Sequence, residues 1–478
     1  MASIPLLTEA ELQSATIDPV TGELYWTRAD GTKIIAGVAS GASDAQVASL
    51  LASGPLTGTQ LSAAIDGSVL PLRDQTAVAA RRAGSFLRGV PAANEQFHYT
   101  SQFGSVPSAN SVKRHQTFKS GPQLMRLVFG NNFAVETNLN AVPIVVRASV
   151  DNGSVRSPVF FRGSRDATIE VGAYVVSDPV VINVASDKFF WQRVFVTASD
   201  SLHIPYVGSP STTISAWGEG CDATNNVSQT DKTMTGGPTP TGGLSWYGAC
   251  AIITEDEGQT PYVSLNGDSV LVGVGDTNGQ ATGVGFGRRA MNNEIPYAMQ
   301  AVIGASMTHG RDRRRILLGG ETGALCEFGV NDVSGNTVAQ LKANYIAEWT
   351  FHRAIGATAV YQTTMMPRTS STDNWATEAN QSVDSNSPKR IEINDWIRAG
   401  APMVAGVGVV PGTSGAIVAG DQGHPLSGYF EVADTVETAR NSGKWKVGMV
   451  YTTDGLGVHP NAAGHAAAAA AIDIDVFR

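Results

Sequence analysis

Three short segments carry side chains whose types and order suit acyl transfer. Gly267-Asp268-Ser269 closes the apolar run Pro261-Tyr262-Val263-Ser264-Leu265-Asn266. Gly329-Val330-Asn331-Asp332 follows an apolar run ending at Phe328, and Asp454-Gly455-Leu456-Gly457-Val458-His459-Pro460 comes last. A serine hydroxyl is a poor nucleophile until a neighbouring base takes its proton, and a histidine is such a base. A serine on a strand-to-helix turn exposes its oxygen and sits where backbone N–H groups meet developing negative charge. An asparagine on a later loop can donate a hydrogen bond to an oxyanion. Ser269 lacks the second glycine of the G-x-S-x-G elbow, which argues against an ordinary α/β-hydrolase.

Such residues need a scaffold that brings distant loops to one edge. After Pro261 the pattern alternates, with strands expected at 263–265, 301–303, 325–328 and 357–363 and helices at 338–354, 389–399 and 462–471. That rhythm specifies an α/β domain over 258–478, its mainly parallel sheet covered on both faces. Ligands in such sheets bind at the carboxyl ends of the strands, where the loops bearing Ser269, Gly304 and Asn331 fall. Between 91 and 257 short strands are expected at 124–129, 142–150, 159–162, 168–176, 180–184 and 189–196, a spacing that favours a β-sandwich. The Ser-, Thr-, Gly-, Asn- and Pro-rich stretch 209–243 reads as surface loops. Residues 1–90 read as a small separate module with a helix-like segment at 44–51.

The order Gly-Asp-Ser, glycine, Gly-x-Asn-Asp, Asp-Gly and His-Pro-Asn resembles the SGNH (GDSL-type) hydrolase family over residues 262–478. The resemblance implies a three-layer α/β/α fold and a serine esterase. Its pattern places the nucleophile at Ser269, whose N–H is one oxyanion donor. Gly304, in Ala301-Val302-Ile303-Gly304-Ala305-Ser306, supplies a second N–H, although the glycine-rich segment 273–287 offers rivals. Asn331 supplies a side-chain donor, and Asp332 reads as a cap for the following helix. His459 is the base and Asp454 its orienting carboxylate. The family usually has two residues between aspartate and histidine, whereas four separate Asp454 from His459. Either the extra residues bulge out, or another acceptor orients the ring and leaves Ser269 and His459 as a dyad. Asp421-Gln422-Gly423-His424-Pro425 keeps the usual spacing and is a second candidate.

Composition narrows the rest. A chain of 478 residues with 42% hydrophobic and 16% charged content is a folded protein of two or three domains. A net charge of -9 gives no footprint for nucleic acid or an anionic membrane. No apolar run approaches the length of about 20 residues that spans a bilayer, and Met1 to Glu9 lack a basic n-region, so neither membrane insertion nor general secretory export is expected. No His-Glu-x-x-His or paired-cysteine spacing calls for a metal, and no cofactor is expected. His98, His115, His203, His309, His352 and His465 read as surface or packing residues. Cys221 and Cys250 could pair under oxidising conditions.

Residues 55–61, 66–67 and 76–80 loosely resemble a segment recurrent in bacteriophage tail proteins. Together with the SGNH resemblance this implies a virion tail protein that removes O-acetyl groups from a host surface polysaccharide, expected as a homotrimer attached to other tail proteins. Two alternatives remain open. One is a glycan-binding tail protein with a weak or degenerate hydrolase domain, in which Trp191, Trp217, Trp246 and Tyr247 stack on sugars. The other is a secreted or cell-surface bacterial carboxylesterase acting on xylan or lipid.

Overall fold

The computed structural model describes residues 88–478 apart from short stretches, the longest being 132–141, 208–216, 238–245, 277–284 and 309–320, together with the strands Leu12–Ile17, Glu23–Arg28 and Lys33–Val38. The chain divides into two compact units, Met1–Gln75 and Thr76–Arg478. In the first, the three strands form an antiparallel sheet. The helix-like segment 44–51 and the tail-like segments at 55–61, 66–67 and 76–80 lie outside the described residues.

Among the described residues the first half of the second unit holds two large antiparallel sheets and a two-stranded one, Ser101–Phe103 with Ile204–Tyr206. One runs in the order Ala167–Ile169, Ile144–Asp151, Phe189–Ala198, Ser108–Gln116 and Gly220–Ala223, with Arg156–Pro158 on the Ile144–Asp151 strand. The other runs Tyr174–Val176, Gly121–Gly130, Ala251–Asp256 and Arg88–Pro91, with Val180–Val184 also on Gly121–Gly130. Alternate residues of Phe189–Ala198 are buried, the period-two signature of a sheet with one face on a core. Expectation and structure differ in places. Residues 159–162 hold only a bridge at Phe161, and 168–176 break into two strands around a turn at Gly172. The loop-like stretch 209–243 contains the strand Gly220–Ala223. Cys221 and Cys250 are separate buried thiols, Cys221 beside the Ser111 hydroxyl at 3.5 Å and Cys250 donating to the Val128 carbonyl at 3.3 Å.

The second half of that unit is built on five parallel strands in the spatial order Tyr297–Met299, Val263–Asn266, Gly323–Cys326, Ala359–Thr363 and Gly428–Phe430. Successive side chains point to opposite faces. Val263, Leu265, Tyr297, Met299 and Leu325 pack with Leu271, Phe286 and Ala468. Ala324, Cys326 and Val360 pack with Leu341, Tyr345, Trp349, Ile393 and Trp396. Helices therefore cover both faces, which is what an all-parallel sheet requires because neither of its faces is polar. Among the described residues no helix is long and apolar enough to cross a membrane.

The Val338–Ala354 helix starts at a reciprocal cap between Thr337 and Gln340 and follows its expected bounds. The expected strand 301–303 is loop, because the strand ends earlier, at Met299. In chain order the five strands run 2-1-3-4-5, so the direction of winding reverses between Val263–Asn266 and Gly323–Cys326. Open α/β sheets bind ligands at that crevice.

One buried ion cluster ties helix to sheet. His352 lies between Glu321, at 2.7 Å from Nδ1, and Glu348, at 3.3 Å from Nε2, and the ring is fully buried. Burial opposes its charge, but Cys326 and the Glu321 carboxylate outweigh it and hold the imidazole well above its ordinary value of 6.5. A folded value above the unfolded one means that this contribution to stability is complete below pH 6.5 and is lost as pH rises through the folded value. His352→Leu strands two buried carboxyl groups and is expected to lower the unfolding free energy at pH 6 by about 3–5 kcal/mol. Urea unfolding of both proteins from pH 6 to 10 checks it, and the gap between them should narrow as the pH rises.

Candidate active site

Ser269 is the first residue of a single helical turn, Ser269–Val272, with two residues between it and the end of the strand Val263–Asn266. The turn is narrow for a steric reason. A methyl group on Gly267 would come within 2.7 Å of the Glu327 carboxylate and 2.8 Å of the Leu271 side chain. Asp268 caps the turn by accepting from the Val270 N–H at 2.9 Å, and Gly273 ends it at φ +101°.

The Ser269 hydroxyl lies 2.8 Å from His459 Nε2, across 190 residues of sequence. His459 Nδ1 faces Asp454 Oδ2 at 2.5 Å. The N–H at Nδ1 donates to the carboxylate, which leaves Nε2 free to accept the serine proton. Ser269 and His459 are 7% and 6% exposed, so their contact is largely shielded from bulk water.

Of the four residues between Asp454 and His459, Gly455 and Leu456 are exposed while Gly457 and Val458 are buried. Gly455 and Gly457 both take left-handed backbone, at φ +66° and +58°. The Gly457 carbonyl accepts from the Trp445 indole at 2.9 Å and from the Thr369 N–H at 3.0 Å, and a side chain at 457 would collide with the Thr369 backbone. The loop is thus pinned to the buried Trp445 and Thr369 while the Leu456 N–H donates to Asp454 at 2.9 Å. Beyond His459, Asn461 caps the Ala462–Ala470 helix with two bonds of 3.0 Å from Ala463 and Gly464. Asp421 and His424 serve elsewhere. His424 is buried, donating from Nε2 to the Ala401 carbonyl at 2.9 Å and accepting from the Leu426 N–H at 3.1 Å.

Gly304 and Asn331 border one cleft. Gly304 follows Val302, whose N–H donates to the Gly267 carbonyl at 3.1 Å, so its loop is hydrogen-bonded to the nucleophile turn. Gly304 takes φ +75°, and neither its N–H nor that of Ser269 donates to an acceptor among the described residues. Asn331 is exposed, and one of its two amide protons goes to the Ala305 carbonyl at 3.0 Å, leaving the other to donate. Gly329, at φ +127°, gives this loop its sharp exit, since a side chain there would strike Met365 and the Tyr345 hydroxyl.

Asp332 is not a helix cap. It accepts from the Met307 N–H at 3.1 Å and so links the Asn331 loop to the Gly304 loop, while Thr337 caps the helix. Of the aromatic residues weighed for sugar stacking, Trp246 and Tyr247 are fully buried. Trp191 is half-buried and donates to the Trp217 carbonyl at 2.8 Å, and the Arg114 guanidinium covers the Trp217 ring at 3.8 Å. Among the described residues no His, Cys, Asp and Glu cluster could hold a metal.

Sequence reasoning passed over Glu327. Its carboxylate is buried under the nucleophile turn, where it accepts from the Asp268 N–H at 3.3 Å. Burial and then the nearby Glu327 charge push Asp268 well above the usual carboxylate range, and burial raises Glu327 to about 7. Two carboxyl groups in one dry pocket cannot both ionise cheaply, so the pair keeps a proton near neutrality. The available signal was an acid inside the otherwise apolar Leu325-Cys326-Glu327-Phe328 run.

No family model and no curated protein matches the chain. Solved structures similar in part include the psychrotrophic esterase EstA from Pseudoalteromonas sp., at 14% identity over 44% of this chain and 92% of that one, with a TM-score of 0.26. AlinE4, an SGNH-hydrolase family esterase, matches at 18% identity over 29% and 74%, TM-score 0.20. A family two carbohydrate esterase from Cellvibrio japonicus matches at 9% identity over 60% and 78%, TM-score 0.20. These neighbours are esterases. The likeness is partial, and the chemistry rests on the side chains.

Asp454→Asn keeps the shape of the loop but offers Nδ1 a different partner, and is expected to lower turnover of a short ester on the order of 10⁴-fold. Turnover near wild type would remove Asp454 from the mechanism. Glu327 behaves oppositely to a salt-bridged acid. Its folded value lies above the unfolded 4.5, so wild-type stability falls as pH rises from 4.5 towards about 7. Glu327→Gln should flatten that fall in denaturant titrations, and an unchanged slope would place the proton elsewhere.

Proposed function

We propose that this protein is a serine ester hydrolase of the SGNH type. The observation that carries the reading is His459, which reaches Ser269 through one ring nitrogen and Asp454 through the other. In the proposed cycle His459 Nε2 takes the hydroxyl proton as Ser269 Oγ attacks the ester carbonyl. The Ser269 and Gly304 N–H groups and the free Asn331 amide proton receive the oxyanion. The imidazolium then returns its proton to the departing alcohol, and water, activated by the same imidazole, releases the acid from the acyl-serine. Asp454 orients the ring and stabilises its charged form.

Within this class we favour removal of O-acetyl groups from a polysaccharide, on a virion tail. The antiparallel sheets ahead of the hydrolase region and the tail-like segment of the sequence support that reading. Such a protein would meet its substrate on the host surface. The test is acetate release from O-acetylated bacterial polysaccharides and from 4-nitrophenyl acetate, with Ser269→Ala beside wild type. Loss of the serine should reduce turnover by at least about 10³-fold while glycan binding persists. Equal turnover in both proteins, or none in wild type, would overturn the hydrolase reading.

A further inference from the structure

The cleft beside Gly304 and Asn331 has a volume of about 430 Å³, within the range of roughly 300–1,000 Å³ common to small-molecule sites. Its walls are amides and hydroxyls: Ser306 and Thr308 from one loop, Asn331 and Asn336 from the next, and Gln340 and Asn344 from the Val338–Ala354 helix. Among the described lining residues Ala343 is the one aliphatic side chain.

The bonding capacity left in that lining is mixed. Gln340 gives its oxygen to the Thr337 cap, which leaves its NH₂ free. Asn336 donates to the Asp332 carbonyl at 2.8 Å, which leaves its own oxygen free to accept. Asn344 has no hydrogen-bond partner among the described residues. Donors and acceptors side by side complement the hydroxyls of a polyol, each of which both gives and receives. A fatty acyl chain would strip water from these amides and return no hydrogen bonds.

We infer that this cleft is the subsite for the alcohol side of the ester and that it takes a sugar ring, held chiefly by Asn344, Gln340 and Asn336. The inference rests on the hydrolase reading, because Gly304 and Asn331 place the cleft next to the reacting carbonyl.

The experiment compares kcat/KM for mono-O-acetylated glucose, 4-nitrophenyl acetate and 4-nitrophenyl octanoate. Asn344→Ala should lower the ratio of glucose ester to 4-nitrophenyl acetate by about tenfold, mainly through KM. A ratio within about twofold of wild type, or octanoate turnover that rises in Asn344→Leu, would overturn it. A second measurement separates this inference from the hydrolase reading. Methyl glucoside is titrated by calorimetry into Ser269→Ala and into Ser269→Ala with Asn344→Ala. If wild type turns over no ester but the glucoside binds and needs Asn344, the sugar site stands and the hydrolase reading falls. If neither turnover nor binding occurs, the site falls too.

Discussion

The structure depends on one hydrogen bond, the 2.8 Å contact between the Ser269 hydroxyl and His459 Nε2. The bond is short-range, yet everything that fixes its two ends is long-range. At the serine end a strand, a turn with no room at Gly267 and a single helical turn hold the oxygen. At the histidine end, the Tyr451 N–H donates to the His459 carbonyl at 2.8 Å and a capped helix follows at once. The reversal of winding in the parallel sheet gives the two ends a common edge.

Legibility followed the range of the interactions that decide each feature. The Val338–Ala354 helix could be read because its cap, Thr337 with Gln340, lies within four residues. The strand Ser108–Gln116 could not, because it buries polar side chains on both of its faces. Asn110 donates to the Thr230 carbonyl at 2.9 Å and Ser111 accepts from the Tyr247 N–H at 3.2 Å, so partners more than a hundred residues away stand in for hydrophobicity. Asp332 looked like a cap because an acid before a helix usually is one, whereas its partner, Met307, lies 25 residues upstream. The residues of Ser269, His459 and Asp454 were readable as types in an order. Whether four intervening residues still let the carboxylate reach the ring was not, since that turned on two left-handed glycines and the hydrogen bonds from buried Trp445 and Thr369.

The carboxyl pair beneath the nucleophile bears on the same bond. Asp268 shapes the turn through its oxygen, which a neutral side chain with no acceptor could not do. Two full negative charges there would oppose the oxyanion that forms above them. Retaining a proton between Asp268 and Glu327 resolves the conflict, because the acceptor geometry survives while the local charge is reduced.

The separation of 190 residues between serine and imidazole also constrains how the molecule acquires its chemistry. Contacts so distant in sequence form after much of the loop-closure entropy has been lost, and late in most folding sequences. The sheet can be assembled, and the serine turn in place, before the last helix docks. During refolding, regain of turnover would therefore trail regain of secondary structure, and an ester assay would report arrival of the final segment rather than collapse of the core.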